Sequence, residues 1–349
     1  MLYLPQGNWL TGSFNLTSHL TLFLEKGATI LASQDPTHWG VVEPLPSYGR
    51  GIELPGGRYM SLINGYKLHD VVITGNNGTI DGRVSNLTLL NAPAYSIHPV
   101  YCSNVNIQNI TASAPAESPY TVGIVPDSSD IVCIEDSSII MGYDAISLKS
   151  GWDEYGIAYG RPTRNVHIRR MHLQSSSGSS IAFGSYMSGG ISDVLVEQVH
   201  MYNSHSGVEF RTTKGRGGYI KEIFVSDVEM ENIYMAFAAT GQCGSHPDDK
   251  FDPNALPHLN HIILQDVIGK NITVAGSFTG IQESPFTDIC LSNITLSINS
   301  VSPTSWVCSN VSGSSDSVFP EPCPDLSGSS NSSSSCFSSM SINGKAAAL

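Results

Sequence analysis

The feature that most constrains this chain is a repeat. A polar residue, most often Asn or Asp, opens a run of alternating aliphatics at Asp70-Val-Val-Ile, Asn104-Val-Asn-Ile, Asp130-Ile-Val-Cys-Ile, Asn165-Val-His-Ile, Asp193-Val-Leu-Val, Glu222-Ile-Phe-Val, His261-Ile-Ile-Leu and Asp288-Ile-Cys-Leu, at irregular steps of roughly 26 to 39 residues. Most runs are followed three or four residues on by a second apolar step, at Val199, Val228, Val267 and Ile294, and then by a further short strand such as Ala145 to Lys149, Ile181 to Gly184 or Val208 to Arg211. Between Asp70 and Leu296 no segment sustains an i, i+3, i+4, i+7 pattern of helical length. Period-2 alternation bounded by Gly, Ser, Asn and Pro recurs instead.

Several short strands per repeat, in a fixed order and without helices, imply an all-β solenoid, a right-handed parallel β-helix in which each coil buries its apolar face against the next. A β-sandwich fits less well, because two-residue hairpin signals are scarce. One domain over 1–326 is expected, with irregular N-terminal coils over 1–66 and a Gly/Pro-rich connector near Leu54-Pro-Gly-Gly57. The Ser-rich stretch 327–349 is too polar to bury much and is expected to be a disordered tail.

Charge is distributed unevenly. The net charge is −13, yet from Lys149 to Lys221 nine basic residues face five acidic ones, a local excess of +4 that leaves −17 for the rest. A basic window inside an acidic protein points to an anionic ligand. Nucleic acid is a poor candidate, since Lys214-Gly-Arg-Gly-Gly218 lacks interleaved aromatics and the chain is acidic overall. No apolar run of about 18 residues is present, so no transmembrane helix is expected. Eight Asn-x-Ser/Thr sequons and seven cysteines suggest the secretory route, although Met1-Leu-Tyr-Leu-Pro5 does not read as a signal peptide. An odd cysteine count leaves at least one thiol unpaired.

The chemistry concentrates in Gly142 to Gly156, where Asp144, Asp153 and Glu154, a lysine and three aromatic residues surround one apolar strand. Stacking the coils about 4.8 Å apart puts Ile146, Ile181 and Val208 in one inward row and Leu148, Phe183 and Phe210 in another. The outward rows then hold Ser147, Ala182 and Glu209, and Lys149, Gly184 and Arg211, with Asp144 and Ser179 aligned nearer the strand start. This face suits a sugar acid, with Lys149 and Arg211 on its carboxylate and Lys214 and Arg216 extending the basic surface. Other clusters carry less. His246, His258 and His261 with Asp248, Asp249 and Asp252 fit no metal-ligand spacing and read as loop, His98 reads as a turn residue, and no cofactor motif is present.

From about Leu4 to Leu326 the chain resembles the plant polygalacturonases of glycoside hydrolase family 28, on Gly75-Asn-Asn-Gly-Thr-Ile-Asp-Gly82, Ala92-Pro-Ala-Tyr-Ser-Ile-His-Pro99, Val125-Pro-Asp-Ser-Ser129, Gly142 to Gly156, Gly184-Ser-Tyr-Met-Ser-Gly-Gly190 and Lys214-Gly-Arg-Gly-Gly-Tyr219. The resemblance implies inverting hydrolysis of pectic polysaccharide in the cell wall by a secreted monomer that uses no cofactor. It also exposes departures. Where the family carries Asn-Thr-Asp, Gly-Asp-Asp, Gly-His-Gly and Arg-Ile-Lys, this chain reads Tyr120-Thr-Val122, Gly142-Tyr-Asp144, Gly178-Ser-Ser180 and Glu209-Phe-Arg211. The implied roles place water activation on Asp144, while the family's general acid falls on Tyr143, its other base on Val122, its histidine on Ser179 and its substrate-gripping arginine on Glu209. Asp144 and Glu209 lie two coils apart, about 10 Å along the axis, which reads as too far for a catalytic pair. Asp144 as base with Asp153 or Glu154 as acid is therefore expected, with Lys149, Glu209, Arg211, Lys214 and Arg216 binding substrate. A pectin-binding β-helix without hydrolysis is the alternative. After Asp81 the chain also lacks a segment typical of relatives, which would remove about one coil.

Overall fold

A computed structural model describes residues 1–49, 58–76, 78–80, 87–92, 94–299 and 305–327. The connector near Leu54, the shortened segment after Asp81 and the Ser-rich tail from 328 onward lie outside the described residues.

The polar residue that opens each repeat is a corner. Asp70, Asn104, Asn165, Asp193, Glu222, His261 and Asp288 all hold φ between 52° and 57°, and in the Asp130 coil the corner moves one place to Ile131, at 58°. A left-handed residue breaks the extended path and turns the next strand onto a new face, and Asn and Asp tolerate it better than other side chains with a Cβ. Corners recur every fifth residue: Asp193, Gln198 and Asn203; Glu222, Asp227 and Asn232; His261, Asp266 and Asn271. Strands as long as Ile191–Arg211, Tyr219–Thr240 and His258–Thr279 thus run around several faces of one coil.

Successive coils pair in parallel and nearly in register, Thr163–Ser175 on Ile191–Arg211, then Tyr219–Thr240, then His258–Thr279, then Phe286–Ile298. The result is a right-handed parallel β-helix, the hand favoured for parallel crossovers. The N-terminal coils are less regular, built from strands of two to five residues between Leu2 and Asn64. Among the described residues the one α-helix is Asp153–Tyr159, which starts after Trp152 and ends on Gly160 at φ 62°.

Inside the coil the expected rows form. Ile146 stacks on Ile181, Val208 and Phe237, and Leu148 on Phe183, Phe210, Ala239 and Phe278, all buried. Phe183 and Phe210 lie ring on ring at 4.8 Å. Outside, the corners carry their own ladder: Asn232 donates to Asn203 at 3.0 Å, Asn271 donates to Asn232 at 2.6 Å, and Asn299 donates to Asn271. Past the last long coil a disulfide joins Cys308 to Cys323, while Cys133 and Cys243 are unpaired thiols.

Candidate active site

One outer face gathers the charge. It belongs to the sheet formed by Val122–Ile124, Ile146–Leu148, Ser179–Gly184 and the ends of the Ile191–Arg211 and Tyr219–Thr240 strands. Register places Glu209 beside Ala182 and Arg211 beside Gly184. Because neither neighbour carries a long side chain, the two charged residues have room to lie back across the strand toward Asp144.

Arg211 is the hub. Its Nη1 donates to Asp144 Oδ2 at 2.8 Å and its Nη2 to Asp144 Oδ1 at 2.9 Å, a bidentate fork. The same Nη2 donates to Ser179 Oγ at 2.8 Å and to Glu209 Oε2 at 2.7 Å. Ser179 completes the ring: its backbone N–H donates to Asp144 Oδ1 at 2.9 Å and its hydroxyl to Glu209 Oε2 at 2.5 Å. With one oxygen of each carboxylate within 2.9 Å of a single nitrogen, the Asp144 and Glu209 oxygens are less than about 6 Å apart. This corrects the expectation that two coils separate them too far. Axial spacing measures Cα positions, and long side chains that converge on one guanidinium close most of the gap.

The cluster is buried, with Asp144 1% and Arg211 6% exposed, while Glu209 keeps a partly exposed edge. Burial alone would raise the Glu209 pKa, but Arg211 and the Ser179 hydroxyl outweigh it and leave the carboxyl below its ordinary value. Tyr143 lies under the Arg211 guanidinium at 5.3 Å, and burial pushes its phenol up to about 12, so it stays neutral. Lys149 sits at the next strand end, its Nζ 3.5 Å from Gly184 O and 4.8 Å from the Tyr186 ring centroid. Burial lowers its pKa to about 8, against the pull of Asp144.

A second cluster lies across Tyr186. Asp153, fully buried, accepts from Arg216 Nη1 at 2.5 Å and pairs with His246 Nδ1 at 2.5 Å. Arg216, also fully buried, spends its other nitrogens on the carbonyls of Ser185 and Ser245, and its guanidinium packs 5.6 Å from the Tyr186 ring. Two expectations change here. Arg216 is a structural cation rather than an exposed substrate contact, because it is fully buried and its protons go to the Asp153 carboxylate and two backbone carbonyls. Asp153 has both oxygens occupied, since a buried arginine needs a buried counter-charge. Glu154 differs: its oxygens are buried without a hydrogen-bond donor among the described residues, and burial with Asp248 and Asp153 nearby raises its pKa. Lys214 is exposed and paired with Glu283 at 2.6 Å.

Sequence reasoning passed over a third group. Asp127, fully buried, accepts from Tyr48 Oη at 2.5 Å and lies 3.2 Å from His98 Nε2. His98 is therefore part of a buried polar network rather than a free turn residue. Its partner Tyr48 lies 79 residues from Asp127 in the chain, a separation that no local motif reports. Cys243 joins the main cluster in the same way, near Arg211 and Glu209, with burial pushing its thiol up.

These features define a parallel β-helix protein with an ion-paired acidic cluster set into the outer face of one sheet. The pattern of glycosyl hydrolases family 28 matches residues 61–319. A probable polygalacturonase of Vitis vinifera is 47% identical over 356 residues, covering 93% of this chain and 72% of that protein. Polygalacturonase-2 of Solanum lycopersicum is 26% identical over 239 residues, 66% of this chain and 48% of that one. Among solved structures, a hyperthermoactive exopolygalacturonase from Thermotoga maritima superposes with a TM-score of 0.78 at 23% identity, over 91% of this chain and 83% of that one. The polygalacturonase of Erwinia carotovora does so at 0.67 and 20%, over 88% and 86%. The chain belongs to glycosyl hydrolase family 28.

Proposed function

We propose that this protein is a glycosidase that hydrolyses galacturonosyl linkages in pectic polysaccharide. The observation that carries the reading is the convergence of Asp144, Glu209, Arg211 and Lys149 on one outer face, in a member of a family whose relatives are named polygalacturonases. A cationic Lys149 at the strand end suits the carboxylate of a uronic acid.

In this reading the family's aspartates at Val122 and Tyr143 are replaced, and Asp144 is the base that activates water. Its Oδ2 accepts from Arg211 Nη1, and a carboxylate oxygen has room for a second donor, here the water. The acid is Glu154, the one carboxyl of the Asp153–Glu154 pair that is not held in an ion pair and whose pKa burial raises. Asp153 then positions Arg216 and the loop carrying His246. Glu209 and Arg211 hold Asp144 in place, and the exposed Lys214 contributes basic surface at the end of the cleft. Action at the cell wall by a secreted, glycosylated monomer belongs to the same reading.

The test is reducing-end release from polygalacturonate beside binding to immobilised pectin. The wild-type chain is expected to release reducing ends, and Asp144→Asn and Glu154→Gln to lose at least about 100-fold in kcat while still binding. Salt-sensitive binding without release by the wild-type chain would sink the hydrolytic reading and leave a pectin-binding β-helix. Full activity in Glu154→Gln would remove that residue as the acid.

A further inference from the structure

On the N-terminal coils, far along the chain from the acidic cluster, His19, His69 and Asp70 stand together at the surface. Their candidate ligand atoms all lie within 4.8 Å of one another. His19 and Asp70 are stacked corners of adjacent coils, at φ 59° and 54°, tied by the His19 N–H to the His69 carbonyl at 3.0 Å and by the Val72 N–H to the Leu20 carbonyl at 2.9 Å. The left-handed backbone aims both side chains outward from neighbouring turns, so their convergence is fixed by the fold.

We propose that His19, His69 and Asp70 form a binding site for a borderline transition-metal ion of the zinc class, which staples the first coil to the next. The donor set is two imidazoles and one carboxylate, the type that prefers zinc, nickel or copper over magnesium or calcium. His19 Nδ1 and Asp70 Oδ2 are already 3.0 Å apart, close to the separation of two neighbouring ligands on an ion with bonds of about 2.0 to 2.2 Å. The His19 and His69 rings meet edge to face at 4.5 Å between centroids, and Ser18 Oγ lies 2.9 Å from His69 Nδ1. That hydrogen bond orients the ring and leaves Nε2 as the ligand atom, the arrangement in which an outer partner sets which nitrogen binds. All three residues are exposed, so an ion reaches them without opening the coil and small side-chain rotations complete the set.

The site joins chain segments 50 residues apart in the least regular part of the solenoid. An ion bound only to the folded form stabilises it by mass action. The experiment is titration of the whole chain with zinc chloride by calorimetry, beside the thermal midpoint with and without zinc, for the wild type, His19→Ala, His69→Ala and Asp70→Asn. One high-affinity site and a raised midpoint are expected in the wild type, with affinity lowered more than about tenfold in each variant. Because the three residues are exposed, the variants are expected to fold, which circular dichroism without zinc verifies. Unchanged affinity in His19→Ala and His69→Ala, or equal binding of magnesium chloride by the wild type, would overturn the proposal.

Discussion

Replacing Arg211 with Met tests whether the cluster is held by charge. The guanidinium makes four hydrogen bonds, two to Asp144, one to Ser179 and one to Glu209, all between 2.7 and 2.9 Å. Methionine fills much of the volume but leaves two carboxylates within about 6 Å of each other without a cation. Removing one partner of such a buried pair costs about 3–5 kcal/mol, because the remaining charges stay desolvated. The sign with pH follows. In the wild type, Glu209 has a lowered folded pKa, so its stabilisation is present above the unfolded value and is lost as pH falls through the folded one. In the variant Glu209 keeps the burial that raises its pKa and loses the Arg211 charge that lowers it, so its stabilisation is present at low pH and is lost as pH rises. The stability gap between the two proteins is therefore smallest near pH 4 and widest near pH 7. Urea midpoints measured at half-unit steps from pH 4 to 8 check this. A gap that is constant with pH would mean that lost packing, not unpaired charge, sets the cost, and the electrostatic account would be wrong. Arg211→Lys, which keeps the charge and loses the fork, should fall between the two.

Gly178→Ala should cut both turnover and stability, since a Cβ there would lie 2.6 Å from Asp144 Oδ1 and 2.7 Å from its backbone nitrogen, pushing the carboxylate off Arg211; kcat beside the urea midpoint checks it. Affinity for polygalacturonate should weaken as pH rises through about 8, where Lys149 loses its proton, and Lys149→Arg should remove that step from the KM profile. At corner Asn232, φ 56°, Asn232→Gly keeps the left-handed turn and loses only the ladder, so it should cost about 1 kcal/mol or less, whereas Asn232→Ala adds the backbone penalty of about 1–2 kcal/mol; equal thermal midpoints for the two would refute the corner argument.

The solenoid was legible because each coil repeats local physics. A corner residue that tolerates positive φ, then alternating apolar positions, writes itself into the sequence at Asn165, Asp193 and Asp288, and register then follows from matching inward rows. Even the lapse is local: the Asp130 coil turns at Ile131, so the motif is off by one residue there. The same physics complicates the sequons. Asn109-Ile-Thr, Asn271-Ile-Thr, Asn293-Ile-Thr and Asn310-Val-Ser all sit at left-handed corners, where an Asn followed by β-branched strand residues is what the fold asks for. Asn271 already uses its amide to bond Asn232. Sequon density in this chain therefore reports corners as well as any export route.

The site was legible only as far as its residues follow the rows. Glu209 beside Ala182 and Arg211 beside Gly184 came from register alone. What the rows could not give is where a long side chain goes once its neighbour is alanine or glycine. Arg211 reaches back 67 residues in sequence to Asp144, and Arg216 reaches 63 residues back to Asp153. Both are three-dimensional choices set by which buried carboxylate lacks a partner. The two arginines looked equivalent in the basic window, yet each neutralises a different buried acid and neither is left as free positive surface. Of the expected basic contacts, Lys214 is paired at the surface and Lys149, beside Tyr186, has no carboxylate within ion-pair distance among the described residues. The +4 excess of the window therefore overstates the charge offered to an anionic polymer, and Lys149 is the cation on which recognition of a uronate should chiefly depend.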